Sequence, residues 1–282
     1  FNAIYADPDG TLYDPTGGFS DLKDGIVRFI GDPSLRISED HLRILRYFRF
    51  FGHFSKKVAD HSALEACKIH ASSLLKISPE RIIKELLSIM SCPDPASVLK
   101  LMAEADVLQK FLPEATQFDL LTRLTRIDAA DPDPLRRISI TLKANKTEVN
   151  NRLKLLRLPA KQSERILEII NIQFLYHEFD EKLLSKTFYK EGKIKFIDIV
   201  YCSWAQGEPR YDSKWQKILS FYSDFSIPKF PLIGSDVLIL GFNGPEVGKL
   251  LQEVRDWWVQ ENFIPDREGC LYKLEEISRQ GI

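Results

Sequence analysis

The stretch richest in chemically useful side chains is Glu39-Asp40-His41-Leu42-Arg43-Ile44-Leu45-Arg46-Tyr47-Phe48-Arg49. Arg43, Arg46 and Arg49 recur at every third position, and Asp40 stands three residues before the first of them. On a helix this spacing predicts a slowly turning polar ridge. Leu42, Leu45 and Phe48 form a parallel apolar ridge that anchors it to its neighbours. Two chemistries fit. The first is a solvated face with Glu39–Arg43 and Asp40–Arg43 ion pairs, which are common and individually weak. The second is recognition of a nucleobase edge. Cytosine and adenine present an exocyclic amine beside an unprotonated ring nitrogen, so a carboxylate accepts from one while a guanidinium donates to the other. Uracil and guanine present the reverse and leave both protein groups unpaired, which is a strong source of discrimination. The remaining arginines suit triphosphate oxygens.

The elements that must hold these residues are mostly helical. Ser38 is the expected N-cap of the arginine helix, with Glu39 and Asp40 at its positive end. Ser78-Pro79-Glu80 opens a second helix with the stripe Ile82, Ile83, Leu86, Leu87 and Met90. Further helices are expected over 96–105, 135–144, 148–156 and 161–174, and a last amphipathic one starts at Gly244-Pro245. The first thirty residues differ. Strands over 2–6 and 12–14 flank the turn Asp7-Pro8-Asp9-Gly10, Pro15-Thr16-Gly17-Gly18 breaks the chain, and 26–30 reads as a third short strand. Three short strands are not a stable unit, and the chain begins at Phe1 inside one of them, so we expect sheet residues before it.

Composition narrows the class. The 282 residues carry 39 Lys+Arg against 40 Asp+Glu, with 44% hydrophobic residues, which excludes a charged disordered tail, a collagen-like repeat and a membrane-embedded chain. Any basic surface must therefore be local. Cys67, Cys92, Cys202 and Cys270 are far apart and form no zinc or disulfide pattern, which fits a reducing, cytoplasmic setting. No signal peptide is evident. His41, His53, His61, His70 and His177 have no metal-ligand spacing, so an HD-type phosphohydrolase is not expected, and no G-x-S-x-G nucleophile motif occurs.

Phe1-Asn2-Ala3-Ile4 resembles the end of the R-R-D-F-T-x-N-A-[IM] motif of class II tRNA nucleotidyltransferases, the CCA-adding enzymes and their relatives the bacterial poly(A) polymerases. Asp14-Pro15-Thr16-Gly17-Gly18-Phe19-Ser20-Asp21-Leu22 resembles their D-x-x-G-G-x-x-D-L motif. Ile30-Gly31-Asp32-Pro33 with residues 39–49 is similar to their E-D-x-x-R-x-x-R-x-x-R segment, and Ser78-Pro79-Glu80-Arg81-Ile82-Ile83-Lys84-Glu85-Leu86 to the neck motif after it. More weakly, Leu108 to Leu112 with Pro113-Glu114 and Gly244-Pro245-Glu246-Val247-Gly248-Lys249-Leu250-Leu251 resemble later family segments, the second of the alphaproteobacterial type.

The resemblance implies roles. Asp40 and Arg43 select CTP and ATP without a template, Glu39 orients them, and Arg46 and Arg49 support the pair and contact the nucleotide. Gly17, Gly18 and Asp21 act as a hinge, while Arg81 and Glu85 stabilise the neck helices. The family's D-x-D metal site and R-R-D element have no counterpart here, so this chain is expected to hold no catalytic residue and no metal ligand. The Mg²⁺ that phosphoryl transfer requires is expected to sit on head residues outside it, and the chain alone is expected not to add nucleotides. Asp7, Asp9, Asp14 and Asp21 read as turn and hinge residues rather than substitutes.

RNA is expected along 143–165, where Lys143, Lys146, Arg152, Lys154, Arg157, Lys161 and Arg165 face Glu148 and Glu164, a local net of +5. Such a face tracks a phosphate backbone without reading bases, although a solvated helical pair has the same composition. Residues 241–248 open a helix and fit either a phosphate or a tight turn. Trp257, Trp258 and Phe263 read as packing residues. The expectation is thus a mainly α chain of helical neck, body and tail modules behind a small antiparallel β remnant. Its boundaries are 1–32 for the head remnant, 33–92 for the neck, 93–175 for the body and 176–282 for a tRNA-binding tail. The expected partners are CTP, ATP and the tRNA acceptor end, with no membrane and no DNA. The alternatives are a poly(A) polymerase, a CC-only or A-only enzyme, and a non-catalytic tRNA-binding fragment of a split enzyme.

Overall fold

In the computed structural model the described residues are 4–171, 180–223, 225–226 and 228–280. Phe1, Asn2 and Ala3 of the first motif, the end of the helix expected over 161–174, and His177 lie outside them. The chain is mainly α and divides into two units, Phe1–Phe174 with Tyr201–Glu208, and Leu175–Val200 with Pro209–Ile282.

The first unit opens with an antiparallel hairpin, β1 (Tyr5–Ala6) and β2 (Leu12–Tyr13), paired Tyr5 to Tyr13 and Ala6 to Leu12. Its turn closes through the Gly10 N–H on the Asp7 carbonyl at 2.9 Å, with Gly10 at φ 87°. The expected third strand over 26–30 is absent. That segment is an irregular strap whose side chains find other partners: Arg28 pairs with Asp21 at 2.8 Å, and Phe29 stacks on Tyr47 at 5.4 Å. An unexpected helix, α1 (Gly18–Asp24), precedes it. The Asp14 carboxylate accepts from the Gly18 and Phe19 N–H groups at 2.8 Å each, and those bonds hold it below the usual carboxylate range against a smaller opposing effect of burial.

Then follow α2 (Pro33–Glu39), α3 (Arg43–Phe54), α4 (His61–Ile69), α5 (Pro79–Met90), α6 (Pro95–Glu104), α7 (Phe118–Ile127), α8 (Pro134–Thr141), α9 (Lys146–Leu155) and α10 (Ala160–Ile169). The second unit carries α11 (Glu181–Glu191), α12 (Lys193–Gln206, whose last residues belong to the first unit), α13 (Asp212–Ser223), α14 (Gly234–Leu238), α15 (Pro245–Gln260) and α16 (Arg267–Gln280). Among the described residues no helix is long and apolar enough to cross a membrane.

Packing of α3 on α5 and α6 fixes the platform for the arginines. Leu42, Leu45 and Phe48 are buried as the periodicity predicts, and so are Ile82, Ile83, Leu86, Ile89 and Met90 of α5, the helix packed against α3. Gly52 lets α3 approach closely: a Cβ there would lie 2.8 Å from Cys92 Sγ and 2.9 Å from Val98 Cγ2. Ser78 occupies the N-cap of α5 with Pro79 after it, although its hydroxyl makes no cap bond. In the second unit Trp258 is 2% exposed, donates to the Pro265 carbonyl at 2.9 Å and packs edge-on against Tyr189, Phe230 and Phe263, so it is a core residue.

All four cysteines are free and buried. Burial pushes the Cys67 thiol up to about 12 and the Cys92 thiol up to about 11, whereas an exposed thiol ionises near 9. Above pH 9 the unfolded chain therefore binds fewer protons than the folded one, and stability present below pH 9 is lost as pH rises through 11 and 12. We expect the unfolding free energy to fall by about 1.4 kcal/mol per pH unit for each such thiol in that window. Urea titrations of the protein and of Cys67→Ala should show a shallower fall in the variant. Parallel curves would contradict the assignment.

Candidate functional site

The continuous helix expected from Ser38 through Arg49 is two helices meeting at a corner. Asp32 is the N-cap of α2, accepting from the Leu35 N–H at 2.7 Å with Pro33 next to it. Ser38 lies inside that helix, its hydroxyl donating to the Ser34 carbonyl at 2.8 Å. At Asp40 the backbone becomes extended, with φ -152° and ψ 105°. Its carboxylate accepts from the Leu42 N–H at 3.1 Å and its carbonyl from the Arg43 N–H at 3.0 Å. An aspartate favours this position because its short side chain bonds the following backbone outside a helix. Asp40 thus ends α2, two residues before the Leu42 N-cap of α3, and its side chain stands at the corner rather than one turn before Arg43.

Each of the two residues is held by separate partners. Arg43 donates through Nη1 to the Glu39 carboxylate and, at 2.8 Å, to the Arg36 carbonyl. Glu39 also takes Arg36 Nη1 at 2.7 Å, and the Arg43 hydrogen bond leads the causes that keep its carboxyl below the usual range. Asp40 takes Arg81 Nη2 at 3.3 and 3.2 Å on its two oxygens, with Arg46 Nη1 at 3.9 Å. The side chains of Asp40 and Arg43 are 29% and 28% exposed, so both keep an edge toward solvent.

Arg43 and Arg46 line a cleft of about 400 Å³ together with Arg36, Gly18, Asp21 and Phe29. Arg49 turns away from it: its Nε donates to Glu85 at 2.6 Å and its guanidinium lies 4.3 Å from the Phe50 ring centre. Steps of three fall 60° short of a full helical turn each, so the third arginine leaves the face of the first. Glu85 is only 8% exposed and also lies 3.6 Å from Arg46, tying α5 to α3. Of the expected hinge residues, Gly17 has φ 75° and starts α1, Gly18 follows it, and Asp21 accepts from Arg28 at 2.8 Å.

Sequence reasoning missed two contributors to the cleft. Arg36 was legible, because Asp32-Pro33 signals a helix start and Arg36 to Glu39 is an i, i+3 pair. Phe29 was hidden inside a segment with an apolar, strand-like composition.

The basic stretch divides. Arg152 pairs with Glu114 at 2.9 Å, Arg165 with Asp133 at 2.8 Å and Arg157 with Glu80 at 2.8 Å. Lys143, Lys146, Lys154 and Lys161 are exposed and make no ion pair among the described residues. Among the described residues no three His, Cys, Asp or Glu side chains come together as a metal site. Asp9, Asp14 and Asp21 are engaged in a turn, a helix cap and an ion pair. These residues do not fit a Mg²⁺ centre.

Residues 60–119 match the family described as "Probable RNA and SrmB- binding site of polymerase A". The chain is 31% identical over 292 residues to the mitochondrial CCA tRNA nucleotidyltransferase 1 of Danio rerio, covering 98% of this chain and 64% of that protein. It is 32% identical to poly(A) polymerase I of Escherichia coli O157:H7, but over only 40% of this chain and 24% of that protein. Among solved structures, the CCA-adding enzyme of Bacillus stearothermophilus in complex with CTP matches with a TM-score of 0.65 at 21% identity, over 99% of this chain and 72% of that one. That of Thermotoga maritima with tRNA matches with a TM-score of 0.60 at 17% identity, over 98% of this chain and 70% of that one. At these identities the structures speak for the fold. The chain spans about 64% of the length of the vertebrate relative. Sequence and fold together support membership of the class II tRNA nucleotidyltransferase family, which comprises the CCA-adding enzymes and the bacterial poly(A) polymerases.

Proposed function

We propose that this chain selects the nucleotide and holds the RNA for CCA addition to the tRNA 3′ end, in an intact protein that transfers CMP and AMP from CTP and ATP. The carrying observation is the corner between α2 and α3. There Asp40 and Arg43 are each anchored by their own partners and each left about one-quarter exposed; Arg43 lines the cleft with Arg36 and Arg46, while Asp40 stands at the corner outside its lining. Asp40 would accept from the base amine, Arg43 would donate to the ring nitrogen, and the cleft arginines would face the phosphates. Glu39 orients Arg43, and Arg49 acts at a distance through Glu85. Gly17, Gly18 and Asp21 serve as the hinge, and Arg81 and Glu85 stabilise the neck. In this reading 1–32 is the head remnant, 33–92 the neck, 93–175 the body and 176–282 the tRNA-binding tail. Transfer, and the Mg²⁺ it needs, are assigned to the intact protein, so the 282 residues alone bind without turnover. A cytoplasmic setting is proposed from the four unpaired, buried thiols.

Equilibrium binding of CTP, ATP, UTP and GTP to the chain tests this. CTP and ATP should each bind at least about tenfold more tightly than UTP and GTP, and Asp40→Asn, which replaces an acceptor with a donor–acceptor amide, should erase most of that preference. Equal affinities for all four would defeat the reading. A preference for ATP over CTP would favour a poly(A) polymerase, but that match covers only 40% of the chain whereas the CCA match covers 98%.

A further inference from the structure

We propose that Arg81 determines base specificity by positioning: its guanidinium fixes the Asp40 carboxylate so that a wrong base cannot turn it aside. The inference rests on the base-selecting reading of Asp40. Asp40 sits in the extended break between α2 and α3, where no helical neighbour restricts its side chain. One local tether is present, the Leu42 N–H at 3.1 Å from Oδ1. Arg81 supplies a second from 41 residues away, with Nη2 at 3.3 Å from Oδ1 and 3.2 Å from Oδ2.

The base from which Arg81 reaches is rigid. It lies in the first turn of α5, its N–H bonded to the Ser78 carbonyl at 3.0 Å, and the next two residues, Ile82 and Ile83, are buried. One turn further on, Glu85 of the same helix holds Arg49 at 2.6 Å and lies 3.6 Å from Arg46. A single helix face therefore sets the acceptor at Asp40 and a guanidinium that lines the cleft.

A carboxylate offers about four acceptor positions. Leu42 and Arg81 engage Oδ1, and Arg81 bridges to Oδ2, which keeps a position for an incoming amine. Uracil and guanine bring a carbonyl oxygen to the same place. A carboxylate free to rotate would move away and let water separate the two oxygens, whereas a clamped one enforces the repulsion. Discrimination should thus depend on the clamp more than affinity for the correct base does. Arg81 is 50% exposed, and ion pairs at that exposure contribute little to stability, so its share in stabilising the neck is small beside that of the buried Glu85 and its removal leaves the fold in place.

The test is binding of CTP, ATP, UTP and GTP to the 282-residue chain and to its Arg81→Ala and Arg81→Lys variants, with thermal melts of all three. We expect the CTP-to-UTP affinity ratio to fall about tenfold in Arg81→Ala, with the melt nearly unchanged. Arg81→Lys should recover only part of the ratio, because a strongly hydrated ammonium on a flexible stem holds the carboxylate less firmly than a nitrogen of a planar guanidinium. A selective parent with an equally selective Arg81→Ala overturns the inference and leaves the base-selecting reading standing. So does an equal weakening of all four nucleotides, which is what a purely structural role would produce. A parent that does not discriminate overturns that reading, and the role of Arg81 with it.

Discussion

Replacing Arg137 with Met should remove about 3–5 kcal/mol of folding free energy, the usual consequence of leaving one partner of a buried ion pair alone. Arg137 and Asp128 have side-chain exposures of 2% and 0%, and the guanidinium grips the carboxylate from Nε at 3.0 and 3.1 Å and from Nη2 at 2.6 Å. Its remaining nitrogen donates to the Met90 carbonyl at 2.7 Å and to the Cys92 carbonyl at 3.1 Å. Those carbonyls lie at the last residue of α5 and two residues past it, where a helix has no internal donors left to offer. One side chain on α8 thus neutralises a charge just past α7 and caps the helix that carries Arg81 and Glu85.

Methionine fills much of the volume without supplying a donor, so the loss reports the uncompensated carboxylate and the bare carbonyls rather than a cavity. Arg136 Nη1, 4.0 Å from Asp128, relieves part of the charge, which argues for the lower half of the range. The size is decisive because small domains hold only about 5–15 kcal/mol in total. Urea unfolding of Arg137→Met and of the double variant with Asp128→Asn should show the second change restoring part of the loss. A single-variant loss below about 1 kcal/mol would mean that water reaches Asp128 and that the pair is not a buried one.

Periodicity made the scaffold of the site legible and left its chemistry half legible. Leu42, Leu45 and Phe48 are buried because a 3.6-residue period is the signal that burial imposes. The same period placed the α5 stripe, with the exchange that Ile89 is fully buried and Leu87 only half so. The break at Asp40 was not visible, since the helical pattern runs on across it and only the local bond to the Leu42 N–H distinguishes the two cases. The apolar run at 26–30 carries strand-like composition, yet Phe29 satisfies its apolar surface on Tyr47 instead of in a sheet. Arg137 was missed for a general reason. A charged residue in Pro134-Leu135-Arg136-Arg137 reads as solvated, and the carboxylate that permits its burial lies nine residues away, across a turn that no local rule connects.

The basic stretch shows what the missing information costs. Seven cations between 143 and 165 look equivalent in sequence, and the structure gives them different work. Changing Lys143, Lys146, Lys154 and Lys161 together to Gln should weaken binding to a tRNA lacking its CCA end by on the order of 10²-fold at low salt. The slope of log affinity against log salt should become shallower by about 3 to 4, the value for four duplex phosphate contacts. Melting should be unchanged, because exposed lysines without ion pairs contribute little to the fold. Arg152→Gln and Arg165→Gln should do the opposite, since each strips a partly buried carboxylate of its partner. Burial opposes ionisation of Asp133, and the Arg136 N–H together with the Arg165 guanidinium outweighs it, holding that carboxyl below its ordinary range. Loss of Arg165 should therefore lower stability by about 1–3 kcal/mol with little change in salt slope. Full tRNA affinity and an unaltered slope in the four-lysine variant would remove the 143–165 face from the RNA surface and move the search to the second unit, where Gly244 opens α15 at φ 61°.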